Sequence, residues 1–208
     1  MKTIVFQGDS ITDASRDRQY VTGGIGIGYV NKTVGRIRVD YPGEYQCFNR
    51  GISGNCTIDM YARIKADVLN LKPDILTVLI GVNDVWRELK RQDGICAAKY
   101  EMILELFIKE IREKLPDIKM FFMEPFILHG TATDLYFEEF QTGVKEHAEV
   151  CKRVAERHGI PFIPLQDTLS AFAEKTSNEE VLVDGVHPTC CGHELISREL
   201  YKALQSVL

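Results

Sequence analysis

The chain has 208 residues, 45% of them hydrophobic and 26% charged, with a formal net charge of −5. That length suits one domain with a full core, and the ordinary composition argues against disorder. The acidic balance leaves no field for a phosphate backbone, so no nucleic-acid partner is expected, and no apolar run reaches the roughly 18 residues that would imply a membrane span.

The chain begins with a predicted strand over Thr3 to Gln7, which runs into Gly8-Asp9-Ser10. Its apolar part is too short for the core of a signal peptide, which points to a cytoplasmic location. Residues 11–28 form a polar connection longer than packing needs, followed by a predicted helix over Tyr29 to Val39. A second strand, Tyr45 to Asn49, leads into Arg50-Gly51-Ile52-Ser53-Gly54-Asn55, and helical spacing resumes over Thr57 to Asn70. The third strand, Ile75 to Ile80, ends in Gly81-Val82-Asn83-Asp84, which also reads as a strand-ending turn. A helix is expected over Ile95 to Leu115 and a fourth strand over Ile118 to Met123. A second long connection follows from Pro125 to Thr133, then a helix over Asp134 to His158 and a fifth strand over Ile160 to Pro164. A shorter helix over Gln166 to Lys175, the loop Asp184-Gly185-Val186-His187-Pro188 and a last helix from Gly192 to Ser206 complete the chain.

Alternating strands and helices predict an α/β protein of three-layer αβα form, with helices on both faces of a parallel sheet. No linker or repeat interrupts the pattern, so residues 1–208 are expected to form a single domain. In such sheets ligands bind beyond the carboxyl ends of the strands, where three successive strands here deliver small or polar residues.

Ser10 stands where a nucleophile would, but a serine hydroxyl needs a base. Of the five histidines, only His187 has a carboxylate nearby in an irregular local motif: Asp184, three residues earlier, can bond Nδ1 and leave Nε2 for the Ser10 proton. A capped loop before the last helix would look the same. His129, His147, His158 and His193 read as ordinary surface or core histidines. Donors for an oxyanion are expected from the N–H groups of Ser10 and Gly51 and from the Asn83 amide. Ser53, in a phrase without the final glycine of a nucleophile elbow, reads as a loop residue. The six cysteines are expected as thiols, and the cluster His187, Cys190, Cys191, His193 lacks a Cys-x-x-Cys pair, so no metal is expected.

Gly8-Asp9-Ser10, Gly51, Gly81-x-Asn83-Asp84 and Asp184-x-x-His187, in that order, resemble the four motif blocks of the SGNH/GDSL hydrolases. Ile11 replaces the leucine of the family's short name. The resemblance implies a flavodoxin-like sheet of five parallel strands and a serine esterase without metal or organic cofactor. It implies Ser10 as nucleophile, His187 as general base and then acid, Asp184 as its orienter, and an oxyanion hole of Ser10, Gly51 and Asn83. The wider phrases, residues 8–13, 49–55 and 80–87, resemble the cytoplasmic carbohydrate acetylesterases of this family, notably the acetyl-xylooligosaccharide esterases. An acetylated sugar is then the expected substrate, with Asp9 and Trp86 as candidate contacts; a core tryptophan is the alternative for Trp86. Self-association is compatible with the resemblance, although no sequence pattern marks an interface. Two other readings compete: a lysophospholipase or thioesterase, which needs an apolar channel leading from Ser10, and a silent domain that binds a carbohydrate or a partner.

Overall fold

In the computed structural model, which describes residues 1–17 and 24–208, five strands form one parallel sheet of order β2-β1-β3-β4-β5. The chain enters through β1 (Lys2–Gly8), makes the one-turn helix α1 (Ser10–Asp13), and continues through α2 (Tyr29–Asp40) into β2 (Tyr45–Asn49). It then crosses by α3 (Thr57–Ala62) and a π-helical turn (Lys65–Leu69) to β3 (Ile75–Leu79). Helices α4 (Val82–Arg91) and α5 (Ala97–Lys114) lead to β4 (Lys119–Met123). A 3₁₀ turn and α6 (Phe137–Arg157) lead to the two-residue β5 (Phe162–Ile163). The chain ends with α7 (Gln166–Ala173), α8 (Asn178–Val181) and α9 (Cys190–Leu204).

Because strand side chains alternate between faces, β1 feeds two separate cores. Ile4 and Phe6 pack with Tyr29, Val34 and Ile37 of α2 and with Ile196 and Leu200 of α9. Val5 faces Met60 of α3 and Tyr100, Leu104 and Phe107 of α5. These are the three layers expected. The register pairs Phe6 with Asn49 on one side and with Thr77 on the other, so β1, β2 and β3 end at one edge. The strand order reverses beside β1, which makes the edge between β1 and β3 the crevice of the sheet. Among the described residues no helix is long and apolar enough to cross a membrane.

Three local expectations are corrected. The turn read at Gly81 to Asp84 is the start of α4: Gly81, at φ 135°, supplies the bend, Asp84 sits in the first turn, and Lys90 and Arg91 lie in the last, matching the helix dipole. The helix expected over Thr57 to Asn70 is interrupted at Arg63 (φ −106°, ψ 13°), after which Asn70 N–H bonds Lys65 C=O across five residues. The first long connection opens with α1, while its residues 18–23 lie outside the described residues.

Candidate active site

Asp9 ends the approach from β1 by capping α1: its carboxylate accepts the Ile11 N–H at 2.9 Å. Ser10 is thereby held as the first residue of a helical turn, with Ala14 N–H bonding its carbonyl at 2.9 Å. Gly8 is required by close approach, since a Cβ there would meet the Leu79 carbonyl at 2.4 Å. Ser10 Oγ lies 3.0 Å from His187 Nε2, across 177 residues of sequence.

The other side of His187 is fixed by Asp184, whose Oδ2 lies 2.8 Å from Nδ1. Its Oδ1 accepts the N–H groups of Val186 and His187, at 3.0 and 2.8 Å. Burial pushes the Asp184 carboxyl up, but the His187 backbone N–H, the His187 ring and the Val186 N–H outweigh it and hold the acid below its ordinary value. An ionised carboxylate against Nδ1 requires the proton on that nitrogen, which leaves the Nε2 lone pair facing the serine hydroxyl. The long connection from Pro125 to Thr133 supports this loop. Leu128 N–H bonds Gly185 C=O and Ala132 N–H bonds Asp184 C=O, both at 2.9 Å.

The oxyanion donors need one correction. The Gly51 N–H is already donated to Asn49 Oδ1 at 2.9 Å, its carbonyl accepts Arg16 Nε at 2.6 Å, and its α-carbon is pressed against Thr12 and Asp13. Gly51 is a packing glycine. Three residues on, Gly54 adopts φ 80°, and its N–H has no acceptor among the described residues. The same holds for the N–H of Ser10. Gly54 lines a cavity of about 220 Å³ with Asn83, Trp86 and Lys90. Asn83 Nδ2 donates one hydrogen to Asn55 C=O at 3.2 Å and keeps a second. The signal that could have found Gly54 was its Ser-Gly-Asn context, where glycine takes a left-handed turn.

Asp9 is also corrected. It is 1% exposed and turned to the N-terminus of α1, so it offers no surface to a substrate. Burial pushes its carboxyl up to about 7. Asp84 is similar: both its oxygens accept the Thr57 N–H at 3.1 Å, and burial raises it to about 7. Trp86 stands between the core and the small cavity. Its half-buried ring packs on core Phe140 and on His187, with centroids 5.9 Å away in each case, while Lys90 Nζ lies 4.5 Å over its ring.

A second cavity, of about 450 Å³, is lined by Ser10, Asp13, Ser15, Ser53, His187 and His193, among others. A cavity of about 510 Å³ lies near the opposite edge of the sheet, at Lys2, Asp74 and Lys119, away from these groups. His129 pairs with Asp134, His158 with Glu105, and His147 is enclosed between two backbone carbonyls. His193, set aside in the sequence, shares the cavity of Ser10. All six cysteines are free thiols, and among the described residues no three metal-binding side chains gather.

The profile of the GDSL-like lipase/acylhydrolase family matches residues 6–195. An acetylxylan esterase of Geobacillus stearothermophilus is 32% identical over 212 aligned residues, covering 97% of this chain and 93% of that protein. The solved structure of that organism's acetylxylan esterase Axe2 superposes with a TM-score of 0.85 at 30% identity, over 97% of this chain and 93% of the other. Other solved forms of Axe2 are catalytic mutants in which one serine or one aspartate is replaced by alanine. A GDSL-like protein of Parabacteroides merdae superposes at 0.91 with 31% identity, over 98% and 95% of the two chains. With sequence profile, relatives and sheet topology in agreement, this chain belongs to the GDSL-like lipase/acylhydrolase family and is a carboxylic ester hydrolase.

Proposed function

We propose that the protein is a serine acetylesterase that removes short acyl groups from carbohydrates such as xylo-oligosaccharides, through an acyl-enzyme on Ser10. The observation that carries this reading is the continuous chain from Ser10 Oγ to His187 Nε2, at 3.0 Å, and from His187 Nδ1 to Asp184 Oδ2, at 2.8 Å. As Oγ attacks the ester carbonyl, Nε2 takes its proton, and Asp184 stabilises the imidazolium without being protonated itself. The developing oxyanion is met by the N–H groups of Ser10 and Gly54 and by the Asn83 amide. Collapse of the tetrahedral intermediate breaks the bond to the alcohol oxygen, which receives the proton from Nε2. Water then repeats the attack on the acetyl group, releasing acetate and restoring the Ser10 hydroxyl.

Two observations support a short acyl group on a polar alcohol. Trp86, Arg87 and Lys90 border the small cavity beside Asn83, a poor lining for a long acyl chain. The larger cavity is lined by Ser15 and Ser53 beside His187. The Geobacillus relative is an acetylxylan esterase, and its Axe2 structures include forms described as acting on acetyl-xylooligosaccharides.

The test compares kcat/KM on acetylated xylo-oligosaccharides with p-nitrophenyl acetate, butyrate and octanoate, alongside fluorophosphonate labelling of Ser10. The proposal expects labelling, deacetylation of the oligosaccharides, and rates that fall with acyl length. Rates that climb towards octanoate would replace it with a lysophospholipase or thioesterase. A wild-type enzyme that resists the fluorophosphonate would leave Ser10 without its role.

A further inference from the structure

His193 stands at the fourth position of α9 and reaches across to α2. The N-cap of α2 is Gly28, which has no side chain to bond the first N–H groups of that helix. His193 supplies the missing acceptor: Tyr29 N–H donates to its Nδ1 at 3.1 Å. A backbone N–H can only donate, so Nδ1 presents its lone pair, and the neutral ring must carry its proton on Nε2. The tautomer of His193 is therefore opposite to that of His187, although both line the cavity of Ser10.

Among the described residues Nε2 of His193 has no hydrogen-bond partner and is not one of the buried, unpartnered polar atoms. The ring is held from behind by Gly28, where a Cβ would come within 2.8 Å of Cε1, and it stacks on Tyr29 with centroids 6.4 Å apart. An unpartnered donor thus sits in a fixed ring that lines the cavity of Ser10. Burial, with the neighbouring charges of Lys32 and His187, lowers its pKa to about 4, so the ring stays neutral through the neutral pH range.

We propose that the Nε2–H of His193 is a fixed hydrogen-bond donor to a hydroxyl or ring oxygen in the alcohol half of the ester, and so selects a polyhydroxylated alcohol over a plain one. This rests on the reading of Ser10 and His187 given above. His187 delivers its proton to the departing alcohol oxygen, so the alcohol occupies the His187 side of Ser10, where His193 also lies. The other cavity, with Gly54 and Asn83, receives the carbonyl oxygen. His193 is a specificity residue: it transfers no proton, and its bond to substrate is lost whenever the alcohol lacks an acceptor oxygen in reach.

Two substitutions separate the two nitrogens. His193→Asn places a carboxamide near Nδ1, keeping an acceptor for Tyr29 and removing the donor. His193→Gln reaches the position of Nε2, keeping a donor and loosening the bond to Tyr29. The readout is the ratio of kcat/KM on a monoacetylated methyl xyloside to kcat/KM on p-nitrophenyl acetate, whose leaving group has no hydroxyl. The expected result is a ratio about tenfold lower in His193→Asn and within about threefold of wild type in His193→Gln, the size of one neutral hydrogen bond. A ratio lowered only in His193→Gln, lowered equally in both, or unchanged in both would overturn the proposal and leave the ring as a cap for α2. Fluorophosphonate labelling and p-nitrophenyl acetate hydrolysis by the wild type report on Ser10 independently, so failure there strikes the esterase mechanism and not His193 alone.

Discussion

The backbone of Gly51 lies against that of Asp13, so close that a Cβ at Gly51 would fall 2.3 Å from the Asp13 nitrogen. Asp13 closes the turn that begins with Ser10, so the strand-end loop after β2 braces the Ser10 helix from outside. Gly51→Ala must push α1 away, at a cost of about 1–3 kcal/mol in stability and a fall in kcat as Ser10 Oγ moves off His187. Gly54→Ala meets no atom within 4 Å, but it forces alanine to φ 80°, a strain of roughly 1–2 kcal/mol. Denaturant midpoints and kcat for both variants check this. A Gly51→Ala protein with wild-type kcat would mean that α1 tolerates displacement.

Asp184→Asn should lower kcat by about 10³–10⁴, because an amide can offer its N–H to the ring and favour the wrong tautomer. Asn83→Ala should cost about 10²–10³ in kcat, roughly 3–4 kcal/mol of transition-state stabilisation. In that variant KM should change little, since the oxyanion exists only in the transition state. Steady-state kinetics on p-nitrophenyl acetate decide both, and an Asn83→Ala effect confined to KM would place the amide in ground-state binding.

The sheet was legible because its strands are short apolar runs set between helical periods, and the ends of β1, β2 and β3 gather the motif residues wherever the exact boundaries fall. Helix α4 was not legible, because Gly81, Asn83 and Asp84 are turn residues taken singly; what makes the segment helical is a bend at Gly81 and a dipole matched at both ends. The engagement of the Gly51 N–H was hidden for a different reason. Gly51 and Gly54 are both glycines after β2, and only the bond from Gly51 to Asn49 shows which N–H is already used. His193 looked ordinary because its partner, Tyr29, is 164 residues away.

Two buried carboxyls make stability fall with pH near neutrality. Asp9 and Asp84 are both raised to about 7 by burial, against about 4 in an unfolded chain. Between those values the folded protein binds protons that the unfolded chain has released. Their contribution is full below pH 4 and is lost as pH rises through 7. Asp184 acts in the opposite sense: its lowered value gives stability above the unfolded pKa, lost as pH falls through the folded one, and His193, lowered by burial from 6.5 to about 4, offsets one of the two carboxyls between those values. Urea midpoints should therefore decline from pH 5 to pH 8. Asp9→Asn, which keeps a capping side chain for Ile11, should flatten that decline; an unchanged slope would assign the ionisation to other groups.

Arg63 ties together three segments that carry the candidate site. Its guanidinium donates to Gly8 C=O at 3.1 Å, to Arg50 C=O at 2.7 Å and to Asn55 Oδ1 at 2.8 Å, and it pairs with Asp67. Gly8 precedes Asp9 and Ser10, Arg50 precedes Gly51, and the Asn55 carbonyl accepts the Asn83 amide. Lysine offers one compact charge and cannot span three acceptors, so Arg63→Lys should leave the Arg50 carbonyl or Asn55 Oδ1 without its donor and cost about 1–3 kcal/mol. It should also lower kcat by about 10–100-fold, because small displacements of aligned groups are costly in the transition state. Activity measured well below the unfolding midpoint separates the two effects. A variant that is destabilised but turns over at the wild-type rate would mean that the strand ends hold Ser10, Gly54 and Asn83 in register without the guanidinium.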